Sequence, residues 1–177
     1  MHKTIIYFHG YGSSPLSAKV GELKKAFPDS DVFAPAIDID YRKAFRNLLD
    51  FIDDVMVTDL EKPTKVIFIG TSLGAYWAAK MASIYAVKAI LINPSVDPSV
   101  SLAKYGLNQD TLVEYEVPFT VTNDSTFFFA EKDEVLDHTN LQSNLDRLGV
   151  EYHIDPDADH RFGGAAFVRV IDHIKSL

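Results

Sequence analysis

The chain has 177 residues, 47% of them hydrophobic, enough for one compact domain that buries roughly 70% of its unfolded surface. It contains no cysteine, which excludes a disulfide scaffold, a cysteine-ligated zinc or iron–sulfur centre and a catalytic thiol. With 25 acidic against 17 basic residues the formal charge is −8, and no stripe of Lys or Arg marks a nucleic-acid or anionic-membrane surface. No apolar run approaches the roughly 18 residues of a membrane span, and Ile5–Phe8 is too short for a signal-peptide core. A single soluble, cytoplasmic domain over residues 1–177 is expected.

Short apolar runs alternate with longer segments of helical period, the pattern of a mostly parallel sheet covered on both faces. Ile5–Phe8 is the first strand. Val32–Ala36 follows, and Pro35 puts it near an edge or at a strand end. Tyr41, Phe45, Leu48, Ile52 and Val55 share one face of a helix that Lys62-Pro63 terminates. Val66–Ile69, β-branched and aromatic, is the strongest strand, with a helix from Leu73 to about Ala86 behind it. Ala89–Ile92 is the next strand, Asn93–Pro98 a loop, and Ser99–Val117 a short helix with a connection. Phe127–Ala130 precedes a helix capped by Asp137, with Leu141, Leu145 and Leu148 apolar and Gly149 ending it. Glu151–Ile154 is the last strand. Phe167, Ile171 and Ile174 mark a closing helix, giving about six strands and at least five helices. Residues 94–125 carry a small lid or irregular insertion.

Between the strongest strand and its helix stands Gly70-Thr71-Ser72-Leu73-Gly74, a G-x-S-x-G. This is the nucleophile-elbow pattern, in which a serine on a sharp strand-to-helix turn is exposed at the C-terminal edge of a sheet. The glycines are needed because the turn brings backbone too close for side chains. A nucleophilic serine needs a base and an orienting acid, which α/β-hydrolases supply in the chain order Ser, acid, His. Of six histidines, His160 alone lies on a loop after the last strand. His2 is terminal, His153 lies in a strand, and His138 and His173 lie on helices as surface or partly packed residues. Four carboxylates follow Phe127–Ala130: Glu131, Asp133, Glu134 and Asp137. Asp133 on the turn is the favoured acid, and Asp137, explained as a helix cap, is the second. The oxyanion donors are the N–H of Leu73, which follows the serine, and that of Tyr11 in the loop His9-Gly10-Tyr11-Gly12-Ser13. His9 orients that loop. If Gly10 and Gly12 serve only to make a turn, the second donor lies elsewhere.

Other constellations fail on spacing. Asp155-x-Asp157-x-Asp159 opens like a calcium loop, but His160 stands where glycine is required and Ala166 where a bidentate Glu is. The glycines match no phosphate-binding loop, and Tyr76, Trp77 and Phe127–Phe129 read as core and pocket wall. No metal or cofactor is implied.

Together these motifs resemble an α/β-hydrolase, and in particular the small bacterial YqiA-like esterase family, the UPF0227 group. The resemblance rests on Ile6-Tyr7-Phe8-His9-Gly10-Tyr11 with Ser13-Ser14-Pro15 and Ser17-Ala18-Lys19, on Gly70–Gly74 with Tyr76, on Asn93-Pro94, on Asp133–Asp137, and on His160-Arg161-Phe162. It spans Ile5 to about Ile174 and implies a three-layer α/β/α sandwich without the first hairpin, in strand order 2-1-3-4-5-6. It also implies Ser72, Asp133 and His160 as a triad. Gly12 departs from the more polar residue expected there, and Ser99–Thr122 aligns with nothing. The implied activity is hydrolysis of a small-molecule ester or thioester through an acyl-enzyme, with short to medium acyl chains. Amide or carbon–carbon bond hydrolysis on the same triad, and a non-catalytic binding protein on the same scaffold, are the alternatives. Clustered carboxylates near the site weigh against strongly anionic substrates.

Overall fold

The computed structural model describes residues 2–59 and 65–177. The predicted helix stop at Lys62-Pro63 lies outside them. Six strands form one fully parallel sheet: β1 (Lys3–Phe8), β2 (Asp31–Phe33), β3 (Lys65–Thr71), β4 (Lys88–Ile92), β5 (Ser125–Lys132) and β6 (Tyr152–Asp159), in the order β2-β1-β3-β4-β5-β6. This is the order expected of the sequence. Among the described residues seven α-helices cover the faces: α1 (Ala18–Ala26), α2 (Tyr41–Asp59), α3 (Leu73–Tyr85), α4 (Pro98–Ser101), α5 (Gln109–Glu114), α6 (Thr139–Leu148) and α7 (Ala165–Ser176).

The strand runs are nearly continuous in apolar residues because both faces are buried, and the period of two divides them between two cores. Ile5, Tyr7, Ile67, Ile69, Ile90, Ile92 and Phe128 face α1 and α7, packing on Val20, Leu23, Phe167, Val170 and Ile174. Ile6, Phe8, Phe68, Leu91, Phe127 and Phe129 face the other layer, against Leu48 and Ile52 of α2, Trp77 and Met81 of α3, and Leu145 of α6. Each such side chain contributes about 1.5–3 kcal/mol on burial, so every layer is anchored several times over.

Four details depart from the expectations. α1 is not marked in the sequence: its only buried apolar positions are Val20 and Leu23, with Gly21 between them, so no periodic stripe announces it. β2 stops at Phe33, before Pro35, which lacks the N–H a ladder needs, and it lies at the sheet edge. β6 runs to Asp159 although Asp155–Asp159 is acidic and contains Pro156. That stretch is accommodated because β6 is the other edge strand and bulges there, with Ala130–Lys132 of β5 matched by Asp155–Asp159. In α6, Leu141 and Leu145 are buried but Leu148 is 60% exposed, since the last turn overhangs the core.

Between β4 and β5 the chain forms α4, a 3₁₀ turn at Ala103–Tyr105, and α5. Part of this segment is core, not cover: Tyr115 is fully buried, its ring 6.0 Å from those of both Tyr76 and Trp77. Tyr76 and Trp77 are therefore core residues and not pocket wall.

The paired glycines of β3 and α3 show how little room this packing leaves. A Cβ on Gly74 would stand 2.5 Å from the Phe8 carbonyl carbon, and one on Gly70 2.5 Å from Ala75 Cα, both against rigid backbone. Gly21, in contrast, has nothing within 4 Å of its Cβ position. Urea denaturation should accordingly show Gly74→Ala losing at least about 3 kcal/mol or failing to fold, while Gly21→Ala gains about 0.5–1 kcal/mol from helix propensity.

Candidate active site

At the C-terminal edge of the sheet, β3 turns into α3 through Ser72, whose φ of 56° and ψ of −120° lie where a residue with a side chain is strained. The conformation is held from both ends. Ser72 N–H donates to Ile92 O at 2.9 Å, and Ser72 O accepts from Ala75 N–H at 3.0 Å and Ser95 N–H at 3.1 Å. The side chain is thereby turned out of the sheet.

His160 follows directly on β6. Its Nε2 lies 3.1 Å from Ser72 Oγ, and its Nδ1 lies 2.9 Å from both carboxylate oxygens of Asp133, which follows directly on β5. The structure brings together Ser72, His160 and Asp133. Asp137 does not join them: it accepts from Thr139 N–H and Oγ1 at the start of α6. Glu131 is exposed at the end of β5, and Glu134 accepts instead from the His160 backbone N–H at 3.2 Å.

The Asp133 side chain is only 3% exposed, against 16% for His160. Burial is the largest influence on its carboxyl and raises its pKa. The His160 imidazole and the N–H groups of Leu136 and Val135, at 2.9 and 2.8 Å, together outweigh burial and hold it below its ordinary value. A second imidazole stands behind it: His138 Nδ1 is 3.8 Å from Asp133 Oδ2, and His138 Nε2–H donates to Pro94 O at 3.3 Å. His138 was expected at the surface or partly packed, but it is buried against Phe129, because α6 folds back over the end of β5. Burial, only partly offset by the Asp133 charge, keeps the His138 pKa below that of a free imidazole.

Asn93 is a further residue of the site. Fully buried with φ of 42°, it donates through Nδ2 to His160 O at 3.0 Å and to Asp159 O at 3.3 Å, and accepts at Oδ1 from Ala130 N–H at 2.8 Å. It ties the ends of β4, β5 and β6 together and, with Glu134, grips the His160 backbone from both sides. An Asn after a strand and before Pro94 is the one sequence signal for it, since Asn tolerates positive φ better than most residues.

A cavity of about 670 Å³ opens above Ser72, lined among others by Tyr11, Leu73, Leu102, Leu136 and His160. Leu73 is the first residue of α3, so its N–H has no acceptor within the helix. Tyr11 lies in a turn closed by Ser13 N–H donating to Gly10 O at 3.2 Å, and Gly12 takes the φ of 72° that this turn requires. Gly10 rests against the serine loop, where a Cβ would be 3.2 Å from Thr71 O. His9 Nδ1–H donates to Gly10 O at 3.0 Å and its Nε2 accepts from Ile37 N–H at 3.3 Å, which makes it a strut of this loop. The Tyr11 ring stacks at 4.7 Å on Tyr105 of the β4–β5 segment at the cavity mouth. Beneath the cavity, Tyr7 OH and Thr71 Oγ1 are 3.0 Å apart, and burial pushes the phenol up to about 12.

The Asp155 and Asp159 carboxylates have partners of their own. Asp155 pairs with Arg169 and accepts from Asp157 and Ala158 N–H, and Asp159 accepts from Arg161 and Phe162 N–H.

The family described as "Uncharacterised protein family (UPF0227)" matches residues 4–177. The chain belongs to the UPF0227 family. A UPF0227 protein of Vibrio parahaemolyticus is 25% identical over 170 residues, spanning 89% of this chain and 90% of the relative. Among solved structures, mouse alpha/beta hydrolase domain-containing protein 10 superposes with a TM-score of 0.77 at 18% identity, over 98% of this chain and 88% of the other. The thioesterase domain from the curacin biosynthetic pathway does so with a TM-score of 0.68 at 13% identity, over 99% and 92%. The fold of this UPF0227 chain is that of the α/β-hydrolases, and no helix among the described residues is long and apolar enough to cross a membrane.

Two measurements test this reading of the supports. Because the unfolded state binds a proton at His138 more readily than the folded state, stability should be undiminished above about pH 6.5 and decline as pH falls below it. Chemical denaturation at stepped pH should show this slope reduced in His138→Gln, the remainder coming from His173, whose pKa burial also lowers, and below 3.8 from the Asp133 carboxyl. Asn93→Ala takes from His160 O and Ala130 N–H the partner that Asn93 supplies, and should cost about 2–4 kcal/mol in urea denaturation.

Proposed function

We propose that this UPF0227 chain is a serine hydrolase of carboxylic esters or thioesters. The observation that carries the reading is the His160 imidazole, placed with one nitrogen on Ser72 Oγ and the other on a buried carboxylate. His160 Nε2 takes the proton of Ser72 as Oγ attacks the substrate carbonyl carbon, and Nδ1–H stays bonded to Asp133, whose charge stabilises the imidazolium. The N–H groups of Leu73 and Tyr11 hold the oxyanion of the tetrahedral intermediate. The imidazolium then gives its proton to the departing alcohol or thiol, leaving an acyl-Ser72 ester. Water, deprotonated by His160, attacks that ester, and collapse of the second oxyanion returns Ser72 and releases the acid. The strain at Ser72 presents Oγ to the cavity without a conformational step.

The names of fold neighbours, a hydrolase and a thioesterase, agree with this chemistry. A cavity of about 670 Å³ that shares its mouth with two tyrosines suits short or medium acyl groups.

The test is hydrolysis of a p-nitrophenyl short-chain ester together with covalent labelling by a fluorophosphonate. Wild type should turn over and label at Ser72, and Ser72→Ala should lose at least about 10³-fold in kcat and all labelling. Asp133→Asn should fall by a comparable factor while Asp137→Asn stays near wild type. Full turnover in Ser72→Ala would refute the proposal.

A further inference from the structure

The chain carries a net charge of −8, yet among the described residues that line the cavity above Ser72, Lys19, Lys104 and Arg161 stand against one carboxylate, Glu134. Several of the acidic residues in this part of the sequence have partners of their own outside the cavity lining. Asp133 is held by His160 and two N–H groups, Asp137 by Thr139, Asp155 by Arg169, and Asp159 by the N–H groups of Arg161 and Phe162. Glu134 itself is committed to the His160 N–H.

The cations are in the opposite condition. Among the described residues none of the three is in an ion pair within 4.0 Å. Lys19 Nζ donates to Arg161 O at 2.6 Å and Lys104 Nζ to Val135 O at 3.4 Å, neutral carbonyls that hold the ammonium groups at the cavity wall without cancelling their charge. Burial lowers the Lys19 pKa, and the nearby charges of Glu22 and Asp159 offset that only in part. The three arrive from α1, from the 3₁₀ turn and from the loop after β6, and meet in the lining of one cavity.

We infer that the substrate carries a second, anionic oxygen group, carboxylate or phosphate, beyond the scissile carbonyl, and that Lys19, Lys104 and Arg161 hold it. This rests on the reading of the cavity as a hydrolase site. It differs from the expectation that clustered carboxylates disfavour anionic substrates, because Glu131, Asp133, Asp137, Asp155, Asp157 and Asp159 do not line this cavity. Arg161 offers a planar fork to the anion, and the two lysines offer point charges.

The test compares three p-nitrophenyl esters of matched length: hexanoate, the mono-ester of adipic acid, and the carboxyl ester of 5-phosphonopentanoic acid. They differ only in a terminal methyl, carboxylate or phosphonate. At low salt the better of the two anionic esters should show kcat/KM about tenfold above hexanoate, the preference should shrink as salt rises, and which anion leads identifies the source. In the double variant Lys104→Gln with Arg161→Gln the ratio should fall close to one. Lys19 is left in place because it also holds the Arg161 backbone. Binding of the same esters to Ser72→Ala, followed by chemical-shift perturbation, reads the cations without turnover. An anionic preference below about threefold in both turnover and binding, or one that survives the double variant, overturns the inference. If wild type cleaves none of the esters and Ser72 does not label, the hydrolase reading has failed instead, and binding to Ser72→Ala still decides the anion preference.

Discussion

Everything at the C-terminal edge of the sheet depends on how closely α3 approaches β1. The first turn of α3 sits on the Phe8 and His9 carbonyls at a separation that admits no side chain at Gly74, and the end of β3 sits as tightly on Ala75 at Gly70. A helix drawn in that far cannot be joined to β3 by relaxed backbone. The link is a single residue, Ser72, in a region of φ and ψ that costs of order 1–3 kcal/mol, a cost the surrounding packing and three backbone hydrogen bonds absorb. The strain and the exposure of Oγ thus have one origin.

A parallel sheet then supplies the partners. Ser72, Asp133 and His160 stand at the ends of β3, β5 and β6, so strand register alone brings residues far apart in sequence to one edge. Register brings them near without orienting them. Orientation comes from Asn93, which bridges β4, β5 and the His160 carbonyl, from Glu134 on the His160 N–H, and from the N–H pair that aims Asp133. Burying the Asp133 charge is tolerable because Oδ1 accepts from the Val135 and Leu136 N–H groups and both oxygens lie 2.9 Å from His160 Nδ1.

The same accounting explains how an acidic protein presents a basic cavity. Carboxylates in short loops after strands are well placed to accept from nearby N–H groups, and here most of them do so. Lysine and arginine side chains are longer, reach past the loops, and meet carbonyls in place of carboxylates. The charged side chains in the cavity lining are Lys19, Lys104, Arg161 and Glu134, an excess of cations in a chain of net charge −8.

Much of this was legible in the chain. Runs such as Val66–Ile69 and Phe127–Ala130 state their own burial, the alternation with helical segments dictates a parallel sheet, and Gly70-Thr71-Ser72-Leu73-Gly74 reports a turn too tight for side chains, because these are local consequences of sterics and of period. Where an element is short or decided by its neighbours the sequence was silent: α1 has two buried anchors and a glycine, and β6 continues through Pro156 only because an edge strand bulges there. Chain order placed His160 last, and position on the turn favoured Asp133, with Asp137 second. Tertiary structure puts an Asp133 oxygen 2.9 Å from the imidazole of His160, 27 residues away, and leaves Asp137 on Thr139. It alone revealed His138 and Asn93 as supports and the cations at the cavity mouth, because hydrogen bonds and charge pairing across strand ends depend on distances that no local pattern encodes.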